Sequence, residues 1–179
     1  RVDFSNFMLK RNKINCKTLL WDLNEGLPKS INNPSLLVSS FCLHWLNNPE
    51  MIVREWYENL SYGGFLIILF PSKNSFPEWK ETCFKNNIEY SGINLPCQEK
   101  LKNLFSKDEI HSTYFYEYIE KFPNIYKLFK SIVNVGAQST KSQRKTVKEL
   151  RIMQKKWPKD KLNNVNLTWK INIFVLKKS

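Results

Sequence analysis

Two continuous apolar runs and the helical pattern between them dominate the first half of the chain. Leu36-Leu37-Val38-Ser39-Ser40 is apolar until it ends in two small polar residues, the pattern of a strand buried in a parallel sheet. Phe65-Leu66-Ile67-Ile68-Leu69-Phe70 is a second such run, closed by Pro71. Between them Ile52, Val53, Trp56 and Leu60 recur at helical spacing. Pro49 and Glu50 suit the first turn of that helix. Gly63-Gly64 supplies its stop, since glycine accepts a left-handed cap. Strand, helix, Gly-Gly, strand is a βαβ unit, which predicts an α/β fold with a mostly parallel sheet and helices on both faces.

The rest of the chain fills in around this unit. Residues 1–4 read as a strand end, 6–12 as a short helix and 17–22 as a second strand. Residues 24–34, with Gly26, Pro28 and Pro34, read as a loop. Helical patterns follow at 78–86 and 101–105, then an aromatic strand at 112–122. An amphipathic helix with Ile125, Leu128, Phe129, Ile132 and Val133 on one stripe is capped by Gly136. A polar loop at 137–145 and a basic helix at 146–157 lead to a final strand, in which Leu167, Trp169, Ile171, Ile173 and Val175 alternate with their neighbours.

Composition narrows the class. At 179 residues, 42% of them hydrophobic, the chain is expected to be one globular domain. No run reaches bilayer length and no signal peptide is visible, so a cytoplasmic protein off the membrane is expected. The four cysteines, Cys16, Cys42, Cys83 and Cys97, are scattered without a CxxC pair, which argues against a zinc site and a disulfide framework. The net charge of +12 raises nucleic acid as a partner. The lysines are spread along the chain among asparagines, without clustered arginine and interleaved aromatics, so a generic basic surface is the stronger reading.

Four segments, in order, resemble the class I S-adenosylmethionine (SAM)-dependent methyltransferases. They are VDFSNFML from Val2, WDLNEGLP from Trp21, LLVSSFCLHWL from Leu36 and NLSYGGFLIILF from Asn59. The match covers the family's pattern from the end of its second strand onward. Within the family, LHWLNNPEMIVREW and LFKSIVNVGAQST resemble the malonyl-acyl-carrier-protein O-methyltransferases of biotin synthesis. The resemblance implies a Rossmann-like methyltransferase fold: a twisted, mostly parallel sheet with an antiparallel final strand. It implies a cofactor-binding half at 1–74 and an acceptor-side half at 75–179 of the single domain.

The resemblance also implies roles. Asp3 would accept hydrogen bonds from the ribose hydroxyls, unless it is an ordinary surface aspartate. Met8 would lie against the adenine, or else fill the core. Asp22 would accept from the adenine amine, with the Leu23 amide reaching a ring nitrogen; the competing reading of Asp22 is an N-cap. Ser39 and Ser40 would let the methionine part of SAM approach the strand end. His44 and Trp45 would border the acceptor, with His44 orienting a substrate carboxylate, acting as a base or simply packing against the strand exit. The implied acceptor is a small molecule or a group on an acyl carrier protein, which the aromatics Tyr114, Phe115, Tyr116 and Tyr118 with Lys127 and Lys130 would meet, unless they are simply the aromatics of an ordinary strand. No catalytic residue and no metal is implied, because a carboxylate attacks the sulfonium methyl without a base.

The sequence departs from the family in one main respect. The glycine-rich turn after the family's first strand is absent, and the opening RVDFS lacks an initiator methionine, which suggests a fragment. The family's first strand lies between its second and fourth, so the second strand is expected to have an unpaired edge and cofactor binding to be weak. Two alternatives stay open: a methyltransferase fold kept as a binding or structural subunit, and a nucleic-acid methyltransferase. The second lacks the Asp/Asn-Pro-Pro-aromatic tetrapeptide, with SSFC in its place.

Overall fold

The computed structural model describes residues 1–11, 16–134 and 145–179. In chain order it places β1 (Val2–Asp3), α1 (Asn6–Lys10), β2 (Leu19–Leu20), β3 (Leu36–Ser40), α2 (Pro49–Glu58) and β4 (Phe65–Pro71). There follow α3 (Pro77–Lys85), α4 (Gln98–Lys102), β5 (Ile110–Phe122), α5 (Ile125–Asn134), α6 (Val147–Lys156) and β6 (Val165–Lys177). The short 3-10 turns Leu23–Glu25 and Leu43–Trp45 follow β2 and β3. Each anticipated helix and strand has a counterpart, but the helix anticipated at 101–105 lies at Gln98–Lys102, with a turn following it. The Gly136 cap and residues 137–144 of the polar loop lie outside the described residues.

The strands form two sheets. β1 and β2 pair in parallel, Val2 with Leu19 and Asp3 with Leu20. The larger sheet has the order β3-β4-β6-β5, with β3 parallel to β4 in the register Leu36 to Phe65 through Ser40 to Leu69. Gly63 N–H donates to Lys178 O, and Ser72 N–H to Lys170 O, so β6 runs antiparallel to β4.

The chain divides into two compact units, with β4, β5 and β6 running from one into the other. The first comprises residues 1–69, 99–113 and 173–179, and the second 70–98 and 114–172. In the first, α2 starts at Asn48, whose side chain accepts the Met51 N–H, and buries Ile52, Val53 and Trp56, while Leu60 is buried just beyond it. Its core also takes Leu43, Leu66, Ile68, Leu101 and Leu176, all essentially out of water. The second is built on aromatic packing. Trp79 meets Tyr90 and Phe129 edge-on at 5.0 Å each, and Phe76 meets Trp169 at 4.6 Å.

Three expectations need correction. β3 is not buried: among the described residues it is an end strand with β4 alone beside it, and Leu36 and Val38 are 54% and 61% exposed. Gly63-Gly64 does not stop α2, which ends at Glu58 with Asn59 as its cap; Gly63, at φ 73°, shapes the turn into β4. In the second half of β6 the buried residues are Asn172, Phe174 and Leu176, not Ile171, Ile173 and Val175.

Candidate functional site

The sequence-derived site residues all fall in the first unit, at the carboxyl ends of β1, β2 and β3 and in the segments that follow. Parallel strands put their carboxyl ends on one side, and open α/β sheets bind ligands there. Trp21 N–H donates to Asp3 O at 3.1 Å, so Asp3 and Asp22 leave neighbouring strand ends. Asp3 Oδ1 accepts the Ser5 N–H at 2.9 Å, and the Arg1 guanidinium stands 3.9 Å from Oδ2. Asp22 Oδ1 accepts from both the backbone and the side-chain amide of Asn24, each at 2.9 Å. Asp22 is therefore an N-cap of the turn Leu23–Glu25. Its Oδ2 is left to other donors, so capping and ligand recognition are compatible. The Leu23 N–H stands in the first turn, where a helix leaves its donors unpartnered.

Two contacts fasten this turn, and neither was legible in the sequence. Asn24 Oδ1 accepts the Asn47 N–H at 2.8 Å, tying the turn after β2 to the loop after β3. Glu55 of α2 accepts the Leu27 N–H at 3.1 Å, and its carboxylate stands where a side chain on Gly26 would begin, 2.7 Å from an ideal Cβ. Gly26 is also at φ 85°, a left-handed conformation that favours glycine. The partner residues lie 23 and 28 positions away, so no local signal announces them.

The β3 exit supplies the other half. Ser39 is buried, with its hydroxyl toward the Cys42 thiol, while Ser40 is exposed. Phe41 then adopts φ 51°, a costly conformation for a bulky residue, held by its N–H donating to Leu69 O at 2.9 Å. Cys42 lies among the site groups. Burial pushes its thiol up; the Ser39 hydroxyl opposes this, and the Asp3 and Asp22 carboxylates add to it. The thiol thus senses three of the expected residues at once.

Leu43 is fully buried and pins the turn that carries His44 and Trp45, whose rings lie 5.0 Å apart. Burial lowers His44 to about 4, and its Nδ1 is buried without a partner. His44 is therefore neutral at neutral pH and offers a donor and an acceptor, not a charge. Met8 stands apart: it is 44% exposed on α1, whose buried residue is Leu9, so Met8 does not fill the core. Among the described residues, no group of three or more His, Cys, Asp or Glu could hold a metal, and no helix is long and apolar enough to cross a membrane.

No protein-family model and no curated protein sequence matches the chain. Solved structures do. A putative methyltransferase from Bacillus halodurans superposes with a TM-score of 0.54 at 16% identity, covering 96% of this chain and 75% of that one. The YcgJ protein from Bacillus subtilis gives 0.58 at 12% identity, covering 99% and 80%. A SAM-dependent methyltransferase from Archaeoglobus fulgidus gives 0.51 at 18% identity, covering 99% and 74%. Together with the strand order and the parallel β3–β4 pair, these likenesses show that the chain has the mixed α/β, Rossmann-like fold of the methyltransferases.

Proposed function

We propose that this chain is a SAM-dependent methyltransferase. One observation carries the reading: Asp3 and Asp22 leave the carboxyl ends of the paired parallel strands β1 and β2, with Ser39 and Ser40 closing β3 in the same unit. Asp22 Oδ1 is taken up by Asn24, which leaves Oδ2 for a ligand. Those groups fit the adenosine part of SAM. Asp3 would accept from the ribose hydroxyls. Asp22 Oδ2 and the Leu23 N–H would meet the adenine edge, with Met8 against its face. Ser39 and Ser40 would border the methionine part. The residues named here account for the adenosine half of the cofactor.

SAM supplies a methyl group on an electrophilic sulfonium. What the chain's own residues contribute is alignment and exclusion of water. We assign the acceptor as a small carboxylate, with a malonyl thioester as the first to try. Two points support this. LHWLNNPEMIVREW and LFKSIVNVGAQST resemble the enzymes that methylate that group. His44, lowered to about 4 by burial, is too weak a base to activate a neutral nucleophile, and an ionised carboxylate needs no base. His44 Nδ1 or Nε2 would then orient the acceptor by a neutral hydrogen bond, and Trp45 would wall the site. The second reading is a methyltransferase fold retained for binding without methyl transfer.

Calorimetric titration of the full-length protein with S-adenosylhomocysteine separates the two. Saturable binding, weakened about tenfold or more by Asp3→Asn or Asp22→Asn, is the expected result. Absence of binding, or binding indifferent to both substitutions, overturns the assignment and leaves the binding-module reading.

A further inference from the structure

We propose that β5 is a self-association edge, pairing antiparallel with β5 of a second copy of this chain. Among the described residues β5 is bonded to β6 only, so its other edge presents N–H and C=O groups that none of them pairs. The strand is 13 residues long, and from Tyr114 to Ile119 every side chain is exposed. Tyr114, Tyr116 and Tyr118 share one face, and Phe115 and Ile119 the other. Natural edge strands are short, charged or covered; this one is long and uncovered among the described residues, and from Ile110 to Tyr116 it carries no acidic residue, lysine or arginine.

The charges that would keep a second copy away are already engaged. Glu117 pairs with Lys170 at 3.6 Å, Glu120 accepts the Trp169 indole N–H at 3.3 Å, and Lys121 pairs with Asp160 at 3.3 Å. The central stretch is thus left aromatic and close to neutral.

The sequence of β5 is self-complementary about Tyr116. A twofold axis perpendicular to the sheet sets each residue opposite one on its own face. Centred on Tyr116, it pairs Tyr116 with Tyr116 of the second copy and Tyr114 with Tyr118 on either side. The result is a continuous row of six tyrosines, the kind of cross-strand aromatic pairing that stabilises sheets. The neighbouring centre at Glu117 would oppose two carboxylates and is disfavoured. Four half-exposed aromatics and Ile119 offer roughly 500 Å² per copy, or about 1,000 Å² in all, the lower end of a specific interface. A weak, concentration-dependent dimer is the expected form. A second open edge, β3, is only five residues long.

Sedimentation equilibrium of the intact protein tests this with three variants. Wild type is expected to dimerise with rising concentration. Tyr116→Lys, at an exposed position, is expected to weaken the dimer about tenfold or more while leaving the circular dichroism unchanged. Val38→Lys, on the β3 edge, is expected to leave it intact. Under mild oxidation Tyr116→Cys is expected to cross-link, because directly opposed Cα atoms lie within disulfide reach. Tyr118→Cys places the introduced thiols about 13 Å apart along the strands and is expected not to. A monomer at every concentration, a dimer lost in Val38→Lys in place of Tyr116→Lys, or equal cross-linking of both cysteine variants overturns the proposal.

Discussion

Single residues at the strand ends answer to two demands, local capping and ligand recognition, and the sequence displays both without ranking them. Asp22 shows why. An aspartate before a short turn caps it, and the structure has it doing so through Oδ1, yet a carboxylate has a second oxygen. What the sequence could not display is the fastening of that turn by Asn24 and Glu55, because both act on partners more than 20 residues away. Nor did it display the depth of His44. Its ordinary value of 6.5 falls to about 4 in the fold. Above pH 6.5 both folded and unfolded chains hold it neutral, and it adds no pH dependence. Between 6.5 and 4 the unfolded chain takes up a proton that the folded chain refuses. Stability must then fall as pH drops, by up to roughly 3 kcal/mol, and level off below 4. Urea unfolding at pH 7 and pH 4.5 is expected to show that loss in wild type and a smaller one in His44→Gln. Equal losses in both would mean that the imidazole is not the group responsible.

At the scale of elements, helices were the more legible because their signals are local. Pro49, Glu50 and the apolar stripe of α2 sit within one short stretch. Likewise α6 opens on a capping box: Thr146 Oγ1 accepts the Glu149 N–H at 3.2 Å, and Glu149 accepts the Thr146 N–H at 2.7 Å. Replacing Thr146 by alanine removes one of these bonds and is expected to cost about 1 kcal/mol of stability, read from the shift in the urea midpoint. A shift indistinguishable from zero would show that α6 is held by its packing alone. Strands were read correctly as strands and less well as buried faces. Alternation along β6 looked like one apolar face, but aromatic and aliphatic residues occupy both parities. Which parity is covered depends on what packs over each half. β3 failed for a related reason. An apolar run is evidence that a strand can be buried on both faces, and burial also requires a neighbour on each edge.

On the whole molecule, charge is the property that no single contact explains. Lysines and arginines outnumber acidic residues 28 to 16, and the sequence reading that the excess is spread out means that it acts as diffuse self-repulsion. The ion pairs in the structure do not offset this. Arg54 with Glu58 and Lys85 with Glu81 are solvent-exposed i,i+4 pairs, and such pairs contribute little each. Salt at about 0.3 M cuts the screening length well below the roughly 10 Å that applies at 0.1 M, and so weakens repulsion between distant lysines and attraction within exposed pairs alike. The repulsive set is larger, so the thermal midpoint is expected to rise between low salt and about 0.3 M sodium chloride. The same diffuse charge predicts that retention on a phosphate polymer, such as duplex DNA on a column, is strong at low salt and lost near physiological strength. A midpoint that falls with salt would place the balance with the ion pairs. Retention that survives physiological salt would mean that the lysines form a surface matched to nucleic acid, and would bring the nucleic-acid methyltransferase back as the reading to test.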